Sequence, residues 1–128
     1  MDDINKYLRP LPERMHGGIL RYLNDGILPG TFLRAVLAND LVGACGHADD
    51  ENRHLLFHYA NMLYNAFPSR GTGCWGSEQA LADWEALGGL NGLRRGPRTF
   101  SRADLGEERA QRLASLVNTF GGQGEVVS

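Results

Sequence analysis

The side chains best suited to metal chemistry lie close together. The pattern Cys45-x-His47-x6-His54-x3-His58 supplies four side chains able to ligate zinc. His54 and His58 stand at i and i+4, where two imidazoles on one helix face reach a single ion. The set matches no standard finger spacing, and the run from His54 to His58 lacks the glutamate of the HExxH hydrolases. A plainer reading puts both rings on a solvated face opposite Leu55, Tyr59 and Met62, with no metal and no cofactor. Asn61 and Asn65 continue the line at i+7 and i+11, and their amides can hydrogen-bond a ligand or a partner chain.

A second chemistry is phosphate recognition. Arg94, Arg95, Arg98 and Arg102 follow one another without an intervening acid, and Phe100 is interleaved. Arginine forks bind phosphate bidentately and an aromatic ring can stack on a base, so this run is the candidate phosphate or nucleic-acid contact. A solvated basic loop is the alternative.

Polar residues in apolar or turn context form a third group: Arg21-Tyr22, Asn39-Asp40 and the stretch Asp49, Asp50, Glu51 and Asn52. Asp40 lies on the edge of an apolar stripe and calls for a cation, with Arg21 or Arg34 as candidates. Such a pair is either structural or part of a grip on a polar ligand. Arg21, Asn39, Asp40 and Asn65 would then hold a phosphate-bearing nucleotide signal. Asp49, Asp50 and Glu51 read as an exposed anionic patch. Trp75, just before Gly76-Ser77, is expected to staple the helix that follows. No Ser-His-Asp or Cys-His set stands at a defined spacing, so nucleophilic catalysis has no positive support and a non-enzymatic protein is expected.

The elements that would carry these residues are helical. Period-two alternation is absent, and five helices with almost no strand are expected. The first begins near Pro12 and buries Met15, Ile19, Tyr22 and Leu23, ending at Gly26. Thr31 caps the second, whose stripe is Leu33, Val36, Leu37, Leu41 and Ala44. Asp49 caps the third, with Leu55, Leu56, Tyr59, Met62, Leu63 and Ala66 inward. Ser77 caps the fourth over Leu81, Trp84 and Leu87. Ser101 caps the fifth, with Leu105, Leu113, Leu116, Val117 and Phe120 inward.

Residues 1–128 read as one all-α domain. It comprises a four-helix core over 11–87, a basic Gly-rich connection over 88–100, a C-terminal helix over 101–120 and a frayed tail over 121–128. The 128 residues suffice for one core, and 42% apolar with 22% charged composition excludes a disordered chain. Seventeen glycines are about twice the usual share. Thirteen basic residues against fifteen acidic ones exclude a chain that binds nucleic acid through its overall charge. The first ten residues have no apolar core of a secretory signal, and no apolar run approaches the roughly 20 residues of a membrane span. Two cysteines without a CxxC pattern fit a free-thiol cytoplasmic protein.

The strings RMHGGILRYLNDGILPGTFLRAVLANDL, ADDENRHLLFHYANMLYN and CWGSEQALADW resemble a family of small phage and prophage proteins with the skeleton GG, Y, GxxPGxFLxAVLxNDL, ADxxN, YN, P, WGS, W. The family's activity is not established. The resemblance spans residues 11 to about 85, and its matching polar positions are Tyr22, Asn39, Asp40, Asp49, Asn52, Tyr64, Asn65 and Trp75. It implies a host-cell cytoplasmic protein that acts by binding. The expected function is inhibition of a host defence complex, an anti-CRISPR or other anti-defence role. The alternatives are nucleic-acid binding through the Arg run or capture of a nucleotide signal.

Overall fold

The protein is described by a computed structural model over residues 3–68 and 73–128. The described residues are mostly helical, with ten helices rather than five and a small two-stranded sheet. A short α1 (Ile4–Leu8) precedes the first expected helix, with Asp3 as its cap. Helix α2 (Glu13–Asp25) buries Ile19, Tyr22 and Leu23. Pro12 stands at its N-cap, one place earlier than expected, and left-handed Gly26 closes it.

Three of the expected helices are each divided in two. Helix α3 (Thr31–Leu37) starts from Gly30, so Thr31 is its first residue and not its cap. Asn39 then takes φ 63°, and α4 (Leu41–His47) begins anew from Asp40, whose carboxylate accepts from the Gly43 N–H at 2.9 Å. That left-handed residue turns the apolar stripe aside, and Leu41 ends 69% exposed. Helix α5 (Asp50–Arg53) is separated from α6 (Leu56–Ala66) by a tight turn in which His54 and Leu55 bond three residues back. The last expected helix breaks at Gly106 (φ 85°) into α9 (Arg102–Leu105) and α10 (Glu107–Thr119). Ser101 caps α9 as expected, and Ser77 caps α7 (Glu78–Leu87).

The connection over 88–100 and the tail also depart from expectation. The connection holds α8 (Gly89–Leu93) and strand β1 (Arg98–Ser101). The tail is β2 (Gly124–Val127), parallel to β1 with Arg98 opposite Gly124 and Ser101 opposite Val127. Both strands lie against α10.

One core joins the two halves of the chain. Trp84 is fully buried, its indole N–H donates to the Tyr22 carbonyl at 2.9 Å, and Phe120 packs on its ring. The Tyr22 hydroxyl donates to the Cys74 carbonyl at 2.6 Å. A Cβ on Gly89 would meet the backbone of Asn24, Asp25 and Gly26 at 2.6 Å, so α8 rests directly on the end of α2. No helix among the described residues is long and apolar enough to cross a membrane.

Candidate functional site

Helix α6 is apolar on two faces. Tyr59, Met62, Leu63 and Ala66 point into the core, as the periodicity requires. Phe57, Ala60, Asn61 and Tyr64 stand at i, i+3, i+4 and i+7 on the other side, with Phe57 71% and Tyr64 83% exposed. A surface helix normally keeps its outer face polar, and one that is apolar all round is normally covered. Helix α4 repeats the anomaly. It buries Ala44 and leaves Leu41 and Val42 in solvent.

Between them lies a groove of about 480 Å³, walled by Leu41 and Ala44 on one side and Leu56, Phe57, Ala60 and Tyr64 on the other. Tyr59 and Leu63 form its floor, and Trp75 closes one end while its indole N–H donates to the Pro68 carbonyl at 2.6 Å. The polar lining beyond the tyrosines and the Trp75 indole is sparse: Asn39, Asp40 and Asn61. Asp40 is the one charged side chain among the described lining residues. The ion pair expected for it with Arg21 or Arg34 is not formed. Arg34 instead pairs with Glu78 at 2.9 Å, and Arg21 lies in a separate cavity with Leu28 and Leu33.

Several expected site residues serve the framework. Asn52 is buried, and its side-chain oxygen accepts from the Tyr59 hydroxyl at 2.6 Å. Asp49 caps α5 through the Asn52 N–H, which holds its carboxyl below the usual carboxylate range, with Arg14 assisting. The acidic patch is exposed but paired: Arg14 bridges Asp49 and Glu51, and Arg53 meets Asp50. Burial pushes the Tyr22 and Tyr59 phenols and the Cys74 thiol well up, so all three stay neutral in the folded state.

The histidine line is broken where α5 ends. His54 is the C-cap of α5 and lies outside α6, and the His58 ring packs edge-on against Phe57. Asn65 donates to the Asn61 side-chain oxygen at 2.7 Å and to the Asn61 backbone carbonyl at 3.0 Å, so its amide N–H groups are turned back onto α6. Cys45 is an exposed free thiol and His47 ends α4. Among the described residues no group of three His, Cys, Asp or Glu side chains is placed to hold a metal ion.

The arginine run is dispersed. Arg98 donates to the Leu87 carbonyl at 2.7 Å and lies over the Phe100 ring, while Arg102 pairs with Glu107. Phe100 is buried and cannot stack on a base. Arg94 and Arg95 remain exposed and without a side-chain partner among the described residues. Arg21, Asn39, Asp40 and Asn65 are likewise not gathered into one pocket, since Asn39 and Asp40 line the groove and Arg21 the separate cavity.

Of the eight positions carried by the resemblance, Tyr22, Asp49 and Asn52 hold the fold, Asn39, Asp40, Tyr64 and Trp75 border the groove, and Asn65 lies outside its lining and bonds Asn61. The sequence places Leu41 in the inward stripe of the second expected helix, which its exposure corrects, and singles out neither Val42 nor Phe57. The signal was present in the i, i+7 spacing of Phe57 and Tyr64 about Ala60. Compared with known proteins, the chain matches no family model, no curated protein and no solved structure.

Proposed function

We propose that this protein is a non-enzymatic binding protein that acts by protein–protein contact through the groove between α4 and α6. The observation that carries the reading is that three exposed large apolar residues, Leu41, Phe57 and Tyr64, line an apolar groove, with Val42 also exposed on α4. Contiguous exposed apolar surface with a polar rim marks interaction sites, and aromatic residues dominate binding energy at such sites. Taken with the resemblance to phage proteins, the target is a component of a host defence complex, whose activity the protein blocks by occupying a contact surface.

The test is a plaque assay on a host with an active CRISPR defence, paired with pulldown of the effector complex. Wild-type protein is expected to restore plaques and retain the complex, and Phe57→Ser/Tyr64→Ser to do neither while keeping its helical spectrum. Equal protection by wild type and double variant overturns the groove as the contact. No binding and no protection by the wild type against any defence complex overturns the anti-defence role.

A second reading, nucleic-acid binding, is supported by Arg94 and Arg95 alone. It requires an affinity for DNA or RNA that falls steeply with salt and disappears when both are replaced by Ala.

A further inference from the structure

We infer that the occupant of the groove is an amphipathic α-helix of a partner protein, with a lysine or arginine of that helix placed against Asp40. This rests on the groove being the contact surface, and it adds the conformation and charge of what binds there.

The first argument is hydrogen bonding. A segment entering an apolar groove must bring its backbone N–H and C=O groups already paired or find partners in the walls. These walls offer the amides of Asn39 and Asn61, the Asp40 carboxylate and few other polar atoms. The Asn61 side-chain oxygen already accepts from Asn65, and one Asp40 oxygen accepts from the Gly43 N–H. An extended strand would leave most of its backbone unpaired there. A helix satisfies its own.

Shape agrees with that. Phe57 and Tyr64 are two turns apart on α6, with small Ala60 between them, and Ala44 faces the same space from α4. Large residues flanking small ones form the ridge-and-groove surface that receives another helix. The eleven residues of α6 span about 16 Å, so an occupant of about three turns covers the seam.

Charge sets the last feature. Asp40 is the only charged side chain among the described lining residues and has no ion-pair partner among the described residues. A cation on the occupant would complement it and set the register of the bound helix.

The probe is a displayed library of random 16-residue peptides selected on the wild-type protein, with the winners synthesised. Enriched sequences are expected to carry large apolar residues at i, i+3 or i+4, and i+7, with one Lys or Arg at a fixed offset, and to gain helicity on binding. Phe57→Ser is expected to weaken them at least tenfold. Asp40→Asn, which keeps an α4 cap because Asn caps as well as Asp, is expected to weaken them about threefold, an effect that fades at high salt. Winners that need Phe57 but are extended, acidic or indifferent to Asp40→Asn overturn the inference and leave the groove reading standing. Winners indifferent to Phe57→Ser, or no winners at all, overturn both. A dimer in sedimentation velocity that Phe57→Ser dissociates makes a second copy of this chain the occupant and overturns the inference.

Discussion

At the residue scale the most consequential polar group is Asp83. It is buried in α7 and held by Arg112 at 2.6 Å, with Arg109 at 3.6 Å. Removing one partner of a buried pair strands the other charge, which matters more than the net contribution of the pair. Arg112→Met is therefore expected to lower the urea-unfolding free energy by about 2–4 kcal/mol, while Asp83→Leu/Arg112→Met recovers most of that loss. A double variant no better than the single one would mean that Asp83 is stabilised mainly by Arg109. Asp49 contributes to the acid side of the pH profile. Its folded carboxyl titrates below its unfolded value, chiefly through the Asn52 N–H, so its contribution is complete above the unfolded pKa of about 3.9 and disappears as pH falls through the folded value. Wild-type urea midpoints are expected to drop as pH falls below about 4, and Asp49→Ala to flatten part of that drop. These roles were only half legible in the sequence. Asp49 announced itself as a cap by its place before Asp50-Glu51, whereas Asp83 looked like any polar residue of a surface helix because its partner lies 29 residues away.

At the element scale, helix existence was legible and continuity was not. Counting by 3.6 residues carries a stripe from Leu33 through Leu41 to Ala44, and nothing in that count registers a left-handed residue. Asn39 supplies one, with φ 63°, and so divides α3 from α4 and turns Leu41 outward to the groove. Asn tolerates this conformation better than other non-glycine residues, and Gly tolerates it best. Asn39→Gly is expected to keep the α3–α4 turn and to be neutral or up to about 1 kcal/mol more stable, whereas Asn39→Ala is expected to be destabilised by about 1 kcal/mol. Chemical denaturation of the two variants checks the order; Ala more stable than Gly would mean that the chain prefers a continuous helix through Ala38–Asp40. The same substitution bears on function, because straightening the turn would draw Leu41 back toward the stripe and remove one wall of the groove. The break between α5 and α6 was hidden for a related reason: Asn52 is spaced like a solvent residue but bonds the buried Tyr59 hydroxyl seven positions on.

At the scale of the whole molecule, the part least legible in the sequence was the parallel pairing of 98–101 with 124–127. Each strand is only four residues long, and their register is set by packing on α10 and not by any local pattern. A Gly-rich end read alone looks frayed. In the fold, Gly124 lies so close to α10 that a Cβ there would meet the Ala114 carbonyl oxygen at 2.6 Å, and Val126 packs on the core opposite Phe100. The Arg98 N–H donates to the Gln123 carbonyl at 2.8 Å, which extends the ladder by one bond. Deleting residues 123–128 would uncover Phe100 and leave one edge of β1 unpaired, a loss of about 2 kcal/mol from apolar burial and hydrogen bonding together. For a chain of this length that corresponds to a fall in Tm of about 6–10 °C. Since Trp84 ties the C-terminal helices to Tyr22 of α2, the remaining protein is expected to unfold in one transition, with far-UV dichroism and tryptophan fluorescence coincident. A truncated protein with an unchanged Tm would show that the strand contributes nothing and that the tail behaves as its glycines suggest. Two separated transitions would show that residues 98–128 form a unit that melts independently of the groove.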